Sequence, residues 1–264
     1  MTTQTDWNPG LYAEYAGLRL RPALDLLARV PKVPDNATTY DLGCGNGPAG
    51  PVLRTRLGAG RLVGVDTSPA MLKKALDTGA YDALIEGDIA DWAPVPEAPA
   101  GLIFSNAALQ WLKGHETLLP RLAGLLAPGG TLAVQVPHQN RAPSHRLWLS
   151  LADELFPGRI DHDSLPAVLL PAEYHHLLRG LGAFDLWETE YYQPLPPSEE
   201  GHPVRRFSES TFARPILSAL EPDEQATLIA AYEEVIGKAY PSGPDGGVLF
   251  PFRRMFFTLT TDAG

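Results

Sequence analysis

The chain has 264 residues, 44% of them hydrophobic and 20% charged, with a formal net charge of −10 at pH 7. That length buries a substantial core, and the acidic balance argues against nucleic acid or an anionic membrane as the main partner, while leaving room for a small anion held by local arginines. A lone cysteine, Cys44, rules out an internal disulfide and a multi-cysteine metal site, and no apolar run approaches the roughly 20 residues of a membrane span. The first residues, MTTQTDWNPG, carry neither a basic start nor an apolar stretch, so a soluble cytoplasmic protein is expected.

In chain order, Pro22 is expected at the first turn of a helix through ALDLLARV that Pro31 stops. TTYDL reads as a short buried strand, residues 50–58 as a helix, and RLVGVD as a β-branched strand ending in Asp66. Ser68 followed by Pro69 is a helix-start signature ahead of AMLKKAL. ALIEGD and AGLIFS are two further strands, ETLLPRLAGLLAPGG a helix closed by Pro-Gly-Gly, and TLAVQV a fifth strand. Five strands separated by helices predict an α/β fold with a mostly parallel, doubly wound sheet. From Pro137 the rhythm breaks. HRLWLSLADELF and AEYHHLLRGLG read as helices, FDLWETEYY as a strand, PLPPSEEGHP as a connection, and a helix is expected from about Glu221 to Tyr240. VLFPFRRMFFTLT is the expected last strand, with Pro251 marking an edge or a bulge. The later helices read as insertions covering a sheet end.

In an open parallel sheet, ligands bind outside the C-terminal strand ends, near the point where strand order reverses. Gly43, Gly45 and Gly47 follow the first strand, Asp66 ends the second, Asp88 and Ile89 follow the third, and Asn106 with Ala107 follows the fourth. A carboxylate ending the second strand suits a ribose diol, because it can accept from both hydroxyls. An acid after the third strand suits an adenine amino group, with Ile89 beside the ring. The loop reads G-x-G-x-G rather than G-x-G-x-x-G, and Asp41 would set a second carboxylate beside a pyrophosphate. A cationic ligand suits it better, and S-adenosylmethionine carries a sulfonium and an ammonium. Each such Asp is also a common cap or turn residue. Cys44 has no evident activating base and reads as a packed small residue. Trp92 and Trp111 can be core aromatics, and His175 and His176 sit in a helical pattern that suits a surface. The pairs Arg205–Arg206 and Arg253–Arg254 fit either a solvated face or an anion site.

DLGCGNG, VDTSPAML, EGDIADW and SNAALQWL resemble the class I S-adenosylmethionine-dependent methyltransferases. DWNPGLYAEY, RPALDLLARVP, LAVQVP followed by PSH, the YY at 191–192, ARPIL and FRRMFF together resemble the trans-aconitate 2-methyltransferase family, over nearly the whole chain. The resemblance implies a Rossmann-like fold with a seven-stranded, mostly parallel sheet, helices on both faces and a helical lid formed by insertions. It implies one structural domain: residues 1–136 form the cofactor-binding core with an N-terminal helical segment, and residues 137–264 supply the remaining strands and the inserted lid. It places Asp41, Gly43, Gly45, Asn46, Asp66, Thr67, Met71, Asp88, Ile89, Asn106, Ala107 and Gln110 on S-adenosylmethionine, with S-adenosylhomocysteine as product and no metal. Tyr12, Arg214 and Arg254 map to the substrate cleft, alongside His138 and Tyr191. Three departures fall in the lid: His138 and Gln139 replace an Asp-Asn pair, Phe207 and Phe212 stand where Trp and Gly are expected, and the chain is longer around 157–170.

That family esterifies a carboxylate of a small unsaturated tricarboxylic acid. A carboxylate is already ionised at neutral pH, its reference pKa being about 4, so the site needs cationic and hydroxyl clamps rather than a base. No catalytic residue is then required. His138, after the fifth strand, is the candidate base if the acceptor is instead a hydroxyl or an amine. A cofactor-binding module without catalysis and a dehydrogenase are the remaining readings. No nucleic acid or membrane partner is expected.

Overall fold

The computed structural model describes residues 16–35, 37–57, 60–166 and 168–263. The strands are β1 (Thr38–Leu42), β2 (Leu62–Asp66), β3 (Ala83–Glu86), β4 (Ala100–Asn106), β5 (Leu126–Pro137), β6 (Ala183–Leu195) and β7 (Val248–Thr260). The described helices are α1 (Ala16–Leu27), α2 (Gly50–Leu57), α3 (Pro69–Leu76), α4 (His115–Gly124), α5 (Pro143–Leu155), α6 (Pro171–Leu178), α7 (Pro203–Glu209), α8 (Arg214–Ser218) and α9 (Pro222–Ala239). All seven strands share one sheet, in the order β3-β2-β1-β4-β5-β7-β6. β3, β2, β1, β4 and β5 pair in parallel. β7 runs antiparallel to β5, with Gly129 N on Asp262 O and Thr261 N on Gly130 O, each at 3.0 Å, and His138 N on Arg253 O at 2.9 Å. Strand order therefore reverses between β1 and β4, where the glycine loop and Asn106 both lie.

Two compact units divide the chain. The first comprises the described residues of Met1–Val136, Val168–Glu188 and Met255–Gly264, and the second Pro137–Ala167 with Thr189–Arg254. In the first, β1 and β4 are buried almost throughout, as strands of a sheet covered on both faces are. Tyr40, Leu42, Ile103, Leu119, Val134 and Phe257 belong to one continuous core. α6 joins that core through Tyr174, which is fully buried. His115 Nδ1 lies 2.7 Å from the Tyr174 hydroxyl, and its Nε2 lies 2.8 Å from Leu109 O. AEYHHLLRGLG, expected among the covering insertions, thus belongs to the core unit, while His175 and His176 are exposed as their pattern suggested.

The second unit is built around Trp148 on α5, stacked on Tyr232 of α9 with centroids 4.0 Å apart. Trp148 Nε1 donates to Ser208 Oγ at 2.9 Å, and the Tyr232 hydroxyl to Ser144 O at 2.9 Å, so both polar tips are satisfied inside the core. His145 lies 4.1 Å from the Phe212 ring and is 6% exposed; burial pulls its imidazole down to about 3. An unfolded histidine titrates near 6.5. Below that pH the unfolded chain takes a proton that the folded chain refuses, so stability is expected to fall progressively from about pH 6.5 towards pH 3. Urea midpoints should therefore drop on acidification, and His145→Phe should remove part of the drop; an unchanged slope would refute the assignment.

Several sequence expectations are corrected. Pro22 lies inside α1, which begins at Ala16 and ends at Leu27 rather than reaching Pro31. α4 stops at Gly124, and β5 already starts at Leu126, so Pro128, Gly129 and Gly130 lie within the strand instead of closing the helix. There β5 advances from Leu126 to Thr131 while β4 advances from Ala100 to Leu102, a bulge that Gly129 at φ +71° permits. β7 is an inner strand and not an edge. Pro251 is tolerated because β5 has ended, and there the Gln139 side-chain amide donates to Pro251 O at 2.9 Å. α7 and α8 fall where the sequence reading assigns no element. Proline occupies the first turn of α3, α5, α6, α7, α8 and α9, where no intrahelical donor is lost.

Candidate cofactor and substrate sites

β1 ends in a turn whose three glycines all adopt left-handed backbone, with φ of +72°, +56° and +78° at Gly43, Gly45 and Gly47. At Gly43 space also forbids a side chain: a Cβ there would lie 2.2 Å from Ala108 Cβ. The turns after β1 and β4 therefore touch. Asp66, at the end of β2, fastens the glycine turn, its Oδ2 accepting from Gly45 N at 2.8 Å and its Oδ1 from Ser68 N at 2.9 Å. Both the cap-like role and the ligand role are open to it, because each carboxylate oxygen keeps a second lone pair. Ser68 Oγ caps α3 by accepting from Met71 N at 3.3 Å, as the Ser-Pro signature predicts.

Asp41 is 2% exposed, and its Oδ2 accepts from the Tyr81 hydroxyl at 2.7 Å. Burial pushes its carboxyl up to about 7, against the opposing pull of that hydrogen bond. Sequence reasoning missed Tyr81; the only signal was an aromatic residue two positions before β3. At the end of β4, Ala107 holds φ +57°, the only described non-glycine residue with positive φ, fixed by Ala107 N on Gln135 O and Gln110 Nε2 on Ala107 O. Strain of this kind concentrates at functional turns. Ile89 and Met71 are buried, Thr67 is exposed, and exposed Asp88 accepts from Ala90 N at 2.9 Å. Trp92 is buried in the core, 4.7 Å from the Tyr40 ring. Cys44 is buried with its thiol pushed up, as befits a packing residue.

The arrangement fits S-adenosylmethionine on an independent ground. Asn46 Oδ1, Asn106 Oδ1 and Gln110 Oε1 are buried atoms without a hydrogen-bond partner among the described residues. Orphaned acceptors of this kind demand a donor-bearing ligand or water, and all three belong to strand-end segments of the first unit. Among the described residues no group of three or more His, Cys, Asp or Glu could hold a metal ion.

In the second unit the arginines separate. Arg205, 6% exposed, is committed to Glu209, Glu233 and the Glu200 carbonyl, and Arg206 pairs with Glu200 at 2.6 Å. Arg253 is half exposed and lies 3.5 Å from Glu190. Arg254 is 4% exposed, its guanidinium 4.8 Å from the centre of the Phe252 ring. Tyr191 is buried while Tyr192 is exposed, and His138 and Arg214 are half-buried. Tyr12 lies outside the described residues. Gln193, 2% exposed on β6, has neither side-chain amide atom partnered among the described residues. The sequence signal for it was a polar residue at an inward position of an alternating strand.

Residues 40–134 match the methyltransferase domain family. The fold resembles the YcgJ protein of Bacillus subtilis (TM-score 0.58, 13% identity, 92% of this chain and 100% of that one). It also resembles Haemonchus contortus phosphoethanolamine N-methyltransferase 2, solved with phosphomonomethylethanolamine and S-adenosylhomocysteine (TM-score 0.55, 16% identity, 96% and 57%). Fold and site together define a class I S-adenosylmethionine-dependent methyltransferase. Among curated relatives, the trans-aconitate 2-methyltransferase of Variovorax paradoxus is 42% identical over 98% of this chain and 99% of its own length. The chain belongs to the trans-aconitate 2-methyltransferase family.

Proposed function

We propose that the protein esterifies a carboxylate of trans-aconitate, as a cytoplasmic enzyme acting on a small anionic metabolite. The observation that carries this reading is identity of 42% across essentially the full length of a relative bearing that name. S-adenosylmethionine, when bound, supplies a methyl group already activated by its sulfonium. Asp41 with Asn46 is assigned to the ammonium end, Asp66 to the ribose, Asp88 and Ile89 to the adenine, and Asn106 with Gln110 to further polar contacts. Gly43, Gly45, Thr67, Met71 and Ala107 are assigned to the same cofactor. Tyr12, Tyr191, Arg214 and Arg254 are assigned to the acid, with buried Arg254 as its main cationic anchor.

Because the acceptor is an ionised carboxylate, the chain has no proton to remove, and its task is to hold the acid in line and exclude water. His138 then serves as a binding residue rather than a base. Pure protein with labelled S-adenosylmethionine and trans-aconitate is expected to yield a methyl ester; turnover on another acid alone would overturn the substrate assignment. His138→Ala is expected to lower kcat less than about tenfold, since a removed general base costs roughly 10²- to 10⁴-fold. Loss on that larger scale, with turnover of an alcohol or an amine, would favour the base-requiring alternative.

A further inference from the structure

We propose that Tyr81 is a positioning residue of the cofactor site, holding the Asp41 carboxylate through its hydroxyl while its ring forms the floor on which the glycine-rich turn is laid. The proposal rests on the assignment of Asp41 to the ammonium end of S-adenosylmethionine. The floor is visible in three close approaches. A Cβ on Gly50 would lie 2.6 Å from Tyr81 Cε2, one on Gly47 3.0 Å from the same atom, and one on Gly64 3.0 Å from Tyr81 Cδ1. Glycine at all three positions lets the turn after β1, the start of α2 and the middle of β2 close on one ring. The hydroxyl reaches Asp41 Oδ2 at 2.7 Å from the far side of the parallel β1–β2–β3 ladder, 40 residues along the chain. A single side chain thereby couples the position of the buried carboxylate to the shape of the turn.

The electrostatics fit this role. The titratable groups facing Asp41 are Tyr81 before β3, Asp66 at the end of β2 and Cys44 in the turn. The Tyr81 phenol and the Cys44 thiol are both pushed above their ordinary ranges, so near neutrality both stay protonated and Tyr81 donates. Burial raises the Asp41 pKa, the Tyr81 hydrogen bond pulls it back and Asp66 adds a smaller upward push, so the carboxyl is pushed up to about 7. A cationic ligand end needs the ionised form, so binding must draw a proton off part of the population, and affinity must weaken as pH falls through neutrality. Without the Tyr81 hydroxyl the carboxyl titrates at higher pH, and the weakening begins sooner.

Calorimetric titration with S-adenosylhomocysteine, which keeps the ammonium, tests this from about pH 6 to pH 8.5 in buffers of different ionisation enthalpy. Wild-type protein should bind and release a fraction of a proton. Tyr81→Phe, which keeps the ring, should bind about tenfold more weakly at neutral pH and shift the pH dependence of Kd upwards. Asp41→Asn should flatten that dependence, and adding Tyr81→Phe to it should change neither Kd nor slope. A Tyr81→Phe curve superimposable on wild type, or a further tenfold loss in the Asp41→Asn background, would overturn the coupling. Wild-type protein that binds no S-adenosylhomocysteine at any pH would instead refute the cofactor assignment, and the proposal with it. Thermal unfolding of each variant reports the fold separately.

Discussion

Gly43→Ala is expected to abolish measurable S-adenosylhomocysteine binding and to destabilise the protein by roughly 3 kcal/mol, whereas Gly45→Ala costs about 1 kcal/mol. Both positions have left-handed backbone, so both carry the strain of a Cβ at positive φ. They differ in space. The new methyl at 43 would stand 2.2 Å from Ala108 Cβ, with Ile89 Cδ1 also within reach at 3.6 Å, while at 45 no atom lies within 4 Å. Ala108 cannot swing away as a flexible side-chain tip would, because its Cβ is fixed to the backbone. It also adjoins Ala107, whose strained conformation is set by Gln135 and Gln110. The strand-end turns after β1 and β4 must therefore part, carrying Asn106 and Gln110 with them. Thermal unfolding and calorimetry of the two variants check this; equal losses would show that strain alone matters.

The second large effect is expected at Arg254. Its guanidinium is almost wholly buried against Phe252, and the proposed function assigns it to the carboxylates of the acid. Arg254→Gln is expected to reduce kcat/KM for trans-aconitate at least about a hundredfold while S-adenosylhomocysteine affinity stays within about twofold. Arg253→Gln is the matched control, because the neighbouring side chain is half exposed and lies near Glu190. Kinetics of the two variants that coincide would remove Arg254 from the acid site.

Much of the first half of the fold was legible because most of its strands and helices obey local rules. β1 and β2 are short buried strands, the first followed by a glycine and the second ending in an aspartate, and Ser68 with Pro69 starts α3 as capping chemistry dictates. That the candidate cofactor residues fall at strand ends was legible for the same reason: a parallel sheet delivers its strand ends to one place. What failed was the reading of proline and glycine. Pro203–Glu209 and Arg214–Ser218, each with proline in its first turn, are helices too short to show a period and received no assignment. At Pro128-Gly129-Gly130 the pair absorbs a bulge inside β5, which depends on the partner strand and is invisible to local pattern. Tyr81 escaped notice because its role depends on a hydrogen bond to a residue 40 positions away. The arginine pairs were ambiguous until burial and ion pairing assigned Arg205 and Arg206 to Glu200, Glu209 and Glu233.

Asp66 spends both carboxylate oxygens on backbone amides, one in the glycine turn and one at the start of α3. An evolutionary cost follows. In many nucleotide-binding folds the residue ending the second strand can be exchanged to admit a different ribose or a phosphate. Here any exchange that removes an oxygen also cuts a tether of the turn, so a change of nucleoside preference would bring a loosened loop in the same mutational step.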